Sequence, residues 1–236
     1  MIVYGRNAVR EALRGRRRVQ RVFASEKAAR EVWLGGVETV IAEPWELDER
    51  CGSPDNQGLC AEVGPYPYVD ADSLLDPADG LVLALDEVQD PQNLGAVARV
   101  AECAGCTGIV VPERRSAEVT PAVCRASAGA VEHVQIARVG NLASWLAKAK
   151  EREQLWVYGA AADGSVPYDG PDYTGRVIVV LGSEGRGLRP RVAETCDALI
   201  QLPNRGTVGS LNVATAASAI VYGILHFRGE TLDRAP

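Results

Sequence analysis

Residues 81–102 read LVLALDEVQDPQNLGAVARVAE, and this stretch joins a buried strand to a helix. The run 81–88 is almost continuously apolar, which is typical of a strand covered on both faces of a sheet. Asp90-Pro91 then predicts a turn that leads into a helix over 92–104. A strand that passes through a short turn into a helix is the repeating unit of a parallel α/β sheet.

The same alternation continues towards the C-terminus. Apolar runs of strand length occur at 108–112, 134–139, 155–161, 176–182 and 198–203, and helical patterns occur at 120–129, 141–152 and 188–195. We therefore predict an α/β fold with an open, parallel sheet covered by helices. Ligands bind such sheets beyond the carboxyl ends of the strands, so the residues just after each strand are the candidate site residues.

The chain before this sheet predicts a separate, smaller α/β domain over 1–65. VYGRNAVREALRG has apolar residues at helical spacing, and RVQRVFAS, VETVIAE and GLCAEV have the composition of short strands. GPYPYVDADSLLDPADG follows at 64–80 and is rich in Pro and Asp. This composition predicts a loosely packed linker over 66–80, which leaves 81–236 as the larger domain.

Composition excludes several classes of protein. The 236 residues are 47% hydrophobic, which supports a core, and they contain neither a signal-peptide pattern nor an apolar run long enough to span a bilayer. We expect a cytoplasmic protein. The six Cys follow no framework spacing, and only two His are present, so Cys103 and Cys106 are expected to be packed helix residues and no metal site is expected.

Charge is distributed unevenly along the chain. Residues 1–30 hold nine Lys or Arg against two Glu, a charge of +7 in a chain whose net charge is −6. A basic N-terminal segment on an otherwise acidic protein favours binding of a polyanion at one place on the surface. Arg16, Arg17 and Arg18 are the candidate contacts. A solvated helix face explains the same pattern equally well.

Polar groups follow three of the predicted strands. Asn93 and Arg99 follow the first, Glu184 lies among the glycines of GSEGRGLRP (182–190), and Ser210 and Asn212 precede the apolar C-terminal helix. The glycine loop lacks both the Lys-Ser/Thr of a nucleoside-triphosphate loop and the G-x-G-x-x-G order of a dinucleotide fingerprint. Ser210 or Asn212 is a sufficient helix cap, so a cap and a catalytic loop are both possible there.

In this order, the three elements resemble the SpoU (TrmH) family of RNA ribose 2′-O-methyltransferases. VYGRNAVREAL and NQGLCAEV are similar to the ends of the small L30e-like substrate domain that some members carry, and VPERRSAEVTP is similar to the RlmB-type enzymes that methylate a guanosine ribose in 23S ribosomal RNA. The resemblance covers nearly the whole chain. It implies an α/β knot (SPOUT) fold in which the C-terminal segment forms a deep trefoil knot, a homodimer, and RNA as the partner.

The resemblance also implies a cofactor, S-adenosylmethionine (SAM), and roles for individual residues. The cofactor pocket is expected to be lined by Ala160, Gly182, Gly185, Leu202 and Leu211. Arg99 is expected to bind the phosphate next to the target ribose and to polarise the 2′-hydroxyl. Asn93, Ser210 and Asn212 are expected to orient Arg99 and the ribose, Glu184 to anchor the loops or the arginine, and Arg115 to contact RNA together with the N-terminal arginines.

The sequence departs from the family pattern at two places. Leu202-Pro203-Asn204 stands where Ile-Pro-Met is frequent, and Asn56-Gln57-Gly58 stands where His-Gln-Gly is common. Other readings also remain. The target is alternatively a transfer RNA or the adenosine ribose whose methylation gives thiostrepton resistance, and the protein is alternatively a non-catalytic RNA-binding ribosome-assembly factor. A nucleotide-binding oxidoreductase is disfavoured, because the dinucleotide fingerprint is missing.

Overall fold

The computed structural model describes residues 1–229, which form two sheets with their helices. The first sheet belongs to the N-terminal unit and has the strand order β1-β4-β2-β3. The elements of this unit are β1 (Ile2–Tyr4), α1 (Arg6–Arg14), β2 (Val19–Ala24), β3 (Thr39–Ile41), α2 (Pro44–Cys51) and β4 (Leu59–Val63). Strand β4 runs antiparallel to β1 and β2, whereas β3 runs parallel to β2. The small α/β unit predicted from the sequence is therefore present, with β1 and α2 as additional elements.

The second sheet has seven strands in the order β7-β6-β5-β10-β8-β11-β9, and every neighbouring pair is parallel. Its elements are β5 (Leu81–Asp86), α3 (Pro91–Cys103), β6 (Gly108–Pro112), α4 (Pro121–Ala126), β7 (Ile136–Val139), α5 (Leu142–Ala149), β8 (Leu155–Ala160), β9 (Val166–Pro167), β10 (Arg176–Gly182), α6 (Pro190–Thr195), β11 (Ala198–Gln201) and α7 (Val213–Phe227). The open, parallel, helix-covered sheet predicted from the apolar runs is confirmed. The last seven residues, 230–236, lie outside the described part of the chain.

Burial explains why this sheet forms. All residues of β5 are buried, because the strand lies in the middle of the sheet and helices cover both faces. Helix α3 packs against α4 and α7 on one of these faces. The contact with α4 requires Gly95, since a Cβ there would lie 2.4 Å from Cβ of Ala126. The start of α3 is thus held directly against the end of α4.

The segment between the two units is packed, so the prediction of a loose linker is wrong. Leu74 and Leu75 are buried in the core on one side of the large sheet. The Tyr66 hydroxyl donates to the carbonyl of Val134 over 2.8 Å, and the Trp145 indole donates to Asp72 over 3.1 Å. The high Asp and Pro content reflects turns and a short 3₁₀ helix at 71–75 rather than a free tether.

The N-terminal unit is held to the larger one by charged side chains, and one of them corrects a sequence prediction. Arg17 was expected to contact RNA, but its guanidinium is buried and bonded to the buried carboxylate of Glu132. Burial withdraws this side chain from solvent, so Arg17 is no longer a candidate RNA contact. Nearby, His133 and Glu11 form a further bond of 2.9 Å between the two units.

The Cys and His residues were assigned no metal role from the sequence. Among residues 1–229, no group of three or more His, Cys, Asp or Glu side chains is placed to hold a metal ion. Cys103 was expected to be packed, but it is exposed at the last position of α3, whereas Cys106 is half-buried. Within the described range, no helix has the length and hydropathy required to cross a bilayer.

Candidate active site at the carboxyl edge of the parallel sheet

Three of the predicted cofactor residues lie at or just beyond the carboxyl ends of adjacent strands in the large sheet, which we call the carboxyl edge. Gly182 ends β10 beside Asp86, the last residue of β5. Ala160 ends β8, where it is in register with Leu181 of β10 on one side and with Ile200 of β11 on the other. Leu202 follows β11 directly. Parallel pairing therefore brings these strand ends together, as the sequence analysis expected of a ligand site.

Asn93, Glu184 and Asn212 form a hydrogen-bonded cluster at this edge. The Nδ2 group of Asn93 donates to Glu184 Oε1 over 3.0 Å. The Nδ2 group of Asn212 donates to the same oxygen over 2.5 Å and to Asn93 Oδ1 over 2.9 Å. One carboxylate oxygen thus receives two amide donors, which joins the start of α3, the glycine loop and the start of α7. We call these three residues the amide–carboxylate cluster.

Asn212 also begins helix α7. Its Oδ1 accepts from the backbone N–H groups of Ala214 over 2.9 Å and Thr215 over 3.4 Å, which is the bonding pattern of an N-cap. Of the two cap candidates, Asn212 is the cap and Ser210 is not, because the helix starts at Val213 and Ser210 lies exposed in the preceding loop. Leu211, predicted to line the cofactor pocket, is also exposed.

Arg99 lies on α3 but does not join the cluster. Six residues separate it from Asn93, so the two Cα atoms are about 9 Å apart along the helix axis. Its side chain is exposed, and it forms no hydrogen bond or ion pair with any residue of the described chain. The structure therefore presents Arg99 to solvent and does not bring it into contact with the cluster.

The glycine loop folds back tightly on the end of β10. A Cβ at Gly182 would lie 2.2 Å from the carbonyl carbon of Gly187, and the N–H of Gly187 donates to the carbonyl of Ser183 over 3.0 Å. Gly185 has a φ of 78°, and a Cβ added there would meet no atom within 4 Å. The loop is thus compact at its base and open at its tip, next to the exposed Glu184.

An ion pair that the sequence analysis missed supports this loop. Asp86 is fully buried, and its Oδ2 accepts from the backbone N–H of Arg189 over 2.8 Å. Its Oδ1 accepts from the Arg189 side chain, with Nε at 2.7 Å and Nη2 at 2.6 Å. Although burial opposes protonation, the bond to Asp86 raises the pKa of Arg189 above its usual value. The only signal in the sequence was an acidic residue at the end of an apolar strand.

Glu87 extends this network to a predicted RNA contact. Glu87 adopts a φ of 58°, and its Oε1 lies 3.5 Å from Arg189 and 3.4 Å from Arg115. The Arg115 side chain remains largely exposed to solvent although it is paired with Glu87. Among the N-terminal arginines, Arg16 and Arg18 are exposed, and Arg16 donates to the carbonyl of His133 over 2.8 Å.

The loop ahead of α7 is organised by the residue that departs from the family pattern. Asn204 accepts from the N–H of Gly206 over 3.0 Å and donates to the carbonyl of Val208 over 2.6 Å. Asn204 therefore shapes the exposed loop, a role that methionine has no groups to fill.

One cavity of the larger unit does not coincide with this end of the sheet. Its volume is about 540 Å³, and Gly80, Thr107, Gln135 and Arg228 are among its lining residues. These positions lie at the amino ends of β5, β6 and β7 and at the end of α7, opposite the amide–carboxylate cluster. None of the predicted site residues lines it.

Comparison with known families divides the chain as the two sheets do. Residues 80–222 match the SpoU rRNA Methylase family, and residues 2–69 match the family described as RNA 2′-O ribose methyltransferase substrate binding. A Bacillus subtilis (strain 168) protein named for the TrmH family of tRNA/rRNA methyltransferases is 36% identical, and the alignment covers 96% of this chain and 95% of that protein.

Solved structures share the fold over nearly the whole chain. An RNA methyltransferase of the TrmH family from Porphyromonas gingivalis matches with a TM-score of 0.77 and 31% identity, covering 94% of this chain and 88% of that one. The SpoU methyltransferase AviRb from Streptomyces viridochromogenes, solved in complex with AdoMet, matches with a TM-score of 0.80 and 24% identity, covering 98% of this chain and 91% of that one.

Proposed function

Because the chain belongs to the SpoU rRNA methylase family, we propose that it transfers a methyl group from SAM to a ribose 2′-hydroxyl of RNA, with a guanosine of 23S ribosomal RNA as the target. The observation that carries this proposal is the amide–carboxylate cluster, in which Asn93, Glu184 and Asn212 meet within hydrogen-bond distance. Each residue comes from a different family-like sequence element. A fold alone does not define an activity, whereas this convergence concerns the candidate site itself.

The residues at the sheet edge fit SAM. Ala160 and Leu202 present small and apolar half-buried surfaces suited to an adenine ring, and the open tip of the glycine loop at Gly185 gives a ligand access to the backbone. AviRb, which has the same fold, holds AdoMet in its structure. In our proposal Gly182 and Leu211 complete the pocket, and the bound SAM supplies an electrophilic sulfonium methyl group.

The chain's own residues then position the nucleophile. A guanidinium stays protonated in proteins, so Arg99 is not the base. We assign it to bind the phosphate beside the ribose and to polarise the 2′-hydroxyl, whose proton passes to that phosphate. Its exposure and its lack of a partner in the described chain suit this role. The cluster holds the start of α3, which carries Arg99, against the glycine loop, and Ser210 lies in the adjacent loop, where it can contact the ribose. Correct alignment of hydroxyl and methyl is where most of the rate enhancement arises.

The two units divide the work in this proposal. Residues 1–65 form the domain that binds RNA, and residues 81–236 form the catalytic domain, with its C-terminal segment in the trefoil knot expected of the family. Two copies assemble as a homodimer in the cytoplasm, where RNA is modified. The exposed aromatic side chains of Tyr222 and Phe227 on α7 are suited to such an interface.

Methyl-labelled SAM tests the function directly. The purified protein is incubated with unmodified 23S ribosomal RNA or with bulk transfer RNA, and ribose methylation is mapped as resistance to alkaline cleavage. The proposal expects one labelled guanosine in 23S RNA. Label only in transfer RNA, or on an adenosine, would keep the chemistry and overturn the target. Saturable SAM binding without any label would indicate a non-catalytic RNA-binding protein, and absence of SAM binding would overturn the proposed cofactor.

A further inference from the structure

The N-terminal unit contains a polar cavity that none of the residues assigned above lines. Its volume is about 230 Å³, and its lining residues are Arg6, Asn7, Arg10, Trp33 and Gln57. Its lining therefore consists of two arginines, two residues with side-chain amides and one tryptophan. Each of these groups has a known counterpart in nucleic acids: phosphate for Arg, base edges for the amides, and a base plane for the indole.

The turn that carries Gln57 is built rigidly. Asn56 is buried, and it donates to Asp48 over 2.7 Å and accepts from the N–H of Gly58 over 2.8 Å. Gln57 is thereby held at a φ of 56°, and its Oε1 accepts from the backbone N–H of Arg6 over 2.9 Å. The Nε2 group of Gln57 has no acceptor within residues 1–229 and remains a donor for a ligand.

Each of the two arginines is oriented by a carboxylate that accepts from only part of its guanidinium group. Arg6 bonds to Glu31 through Nη2 over 2.7 Å, and Arg10 bonds to Glu11 through Nε over 2.9 Å. The side chains of Arg6 and Arg10 are 55% and 40% exposed to solvent, respectively. A guanidinium has five N–H donors, so each arginine retains several for a phosphate. Trp33 is half-buried and packs against the hydrophobic core, which holds its ring in place.

The cavity is connected to the candidate active site through helix α4. Asp55, two residues before Gln57, is ion-paired with Arg125 over 3.4 Å. The next residue, Ala126, packs against Gly95 of α3, two residues beyond Asn93. The turn at the cavity and the start of α3 therefore both contact α4, at two consecutive residues.

We propose that this cavity binds one unpaired nucleotide of the RNA substrate, with its base against Trp33, its phosphate on Arg6 and Arg10, and its base edge on Asn7 and Gln57. The inference rests on the proposed function for its choice of RNA. Single-stranded nucleotides are favoured over a duplex because only an unstacked base can lie against an indole ring in so small a space.

Binding titrations test this without depending on methyl transfer. Fluorescein-labelled single-stranded RNA of mixed sequence is titrated with the wild type, Trp33→Leu, Trp33→Phe and the double variant Arg6→Gln/Arg10→Gln. Because base stacking contributes strongly, Trp33→Leu is expected to raise the Kd about fivefold or more, and Trp33→Phe is expected to restore most of the affinity. The arginine variant is expected to weaken binding and to flatten its salt dependence.

Matched controls lie in the same unit. Trp45→Leu removes a more exposed Trp on α2, and Arg21→Gln removes an exposed cation on β2. Both are expected to leave the Kd for single-stranded RNA unchanged. Every variant is expected to bind duplex RNA with the affinity of the wild type. Unchanged single-strand binding by both Trp33→Leu and the arginine variant would overturn the inference. Normal RNA binding by the wild type without methyl transfer would instead count against the proposed function alone.

Discussion

The guanidinium of Arg17 and the carboxylate of Glu132 form an ion pair in which the two side chains are 1% and 0% exposed. Arg17 lies between α1 and β2 of the N-terminal unit, and Glu132 ends a short 3₁₀ helix, Ala130–Glu132, that follows α4. Burial alone would lower the pKa of Arg17, but the bond to Glu132 raises it above its usual value. Both charges are thus kept at a buried interface, where each depends on the other.

Glu132→Gln is expected to destabilise the protein, because it leaves the Arg17 charge buried without its counter-charge. Loss of one partner of a buried pair typically costs about 3–5 kcal/mol in the free energy of unfolding. Urea unfolding followed by circular dichroism measures this. Glu118→Gln is the control, since it removes an exposed carboxylate from its pair with the half-buried Arg138 and should cost at most about 1 kcal/mol. Equal effects of the two variants would contradict the assignment.

Arg99→Ala is expected to lower kcat for RNA methylation by about 100- to 1,000-fold, because it removes the group that polarises the hydroxyl. The melting temperature and the affinity for SAM should stay the same, since the exposed Arg99 side chain bonds to no part of the described chain. Steady-state kinetics, thermal unfolding and calorimetry separate these quantities. Glu102→Ala, an exposed change on the same helix, should keep full activity. Turnover like that of the wild type in Arg99→Ala would exclude Arg99 from the mechanism.

Asp86 and Arg189 are expected to position the glycine loop. Arg189→Lys keeps the positive charge but cannot reproduce the paired bonds to Asp86. A displaced loop should weaken SAM binding and lower kcat by about 10- to 100-fold. Calorimetric titration with SAM measures the first effect and single-turnover kinetics the second. Asp86→Asn should act in the same direction, with a larger loss of stability because Asp86 is buried. Unchanged SAM affinity in both folded variants would assign the pair to stability alone.

Arg16 and Arg18 are expected to contribute to RNA affinity through phosphate contacts. Replacing both with Gln should reduce the slope of log K against log[salt] by about 1.4–1.8, because each lost phosphate contact removes about 0.7–0.9. Filter binding of RNA at several salt concentrations measures the slope. An unchanged slope would mean that these exposed arginines form only a solvated surface.

Asp72 provides a pH-dependent test of how residues 64–80 are attached. The bond from Lys148, together with that from Trp145, holds the pKa of Asp72 below its usual value of 3.8, although burial opposes this. Since the pKa is lower in the folded protein, the stabilisation is present above pH 3.8 and is lost as the pH falls through this value towards the folded pKa. Asp72→Asn should therefore be less stable than the wild type at neutral pH, and the two should converge in acid. A difference that is constant with pH, measured by urea unfolding, would contradict this.

The parallel sheet was predictable because its strands are continuous apolar runs, and such runs reflect burial on both faces whatever their neighbours are. Strand β9 was missed, since two residues, Val166–Pro167, carry no periodic signal. Asn93, Glu184 and Asn212 were predicted as site residues from their order along the chain, and the structure adds that they touch each other. Their catalytic roles remain predictions.

What the sequence could not reveal are pairings between distant residues. Three consecutive arginines look equivalent in the chain, and only Arg17 is buried, because Glu132 lies opposite it although 115 positions away. Asp86 and Arg189 are separated by 103 positions. Ser210 and Asn212 were equally good caps by residue type, and the choice between them depended on where the cluster holds the Asn212 amide.

Asn212 uses the two ends of one amide for two purposes. Its oxygen caps helix α7, and its nitrogen bonds to Glu184 and Asn93. Helix formation and site assembly are therefore thermodynamically linked: a protein in which the first turn of α7 frays also loses the cluster, and a ligand that tightens the cluster also stabilises the helix. For the same reason, a substitution of Asn212 changes both the stability of α7 and the structure of the site.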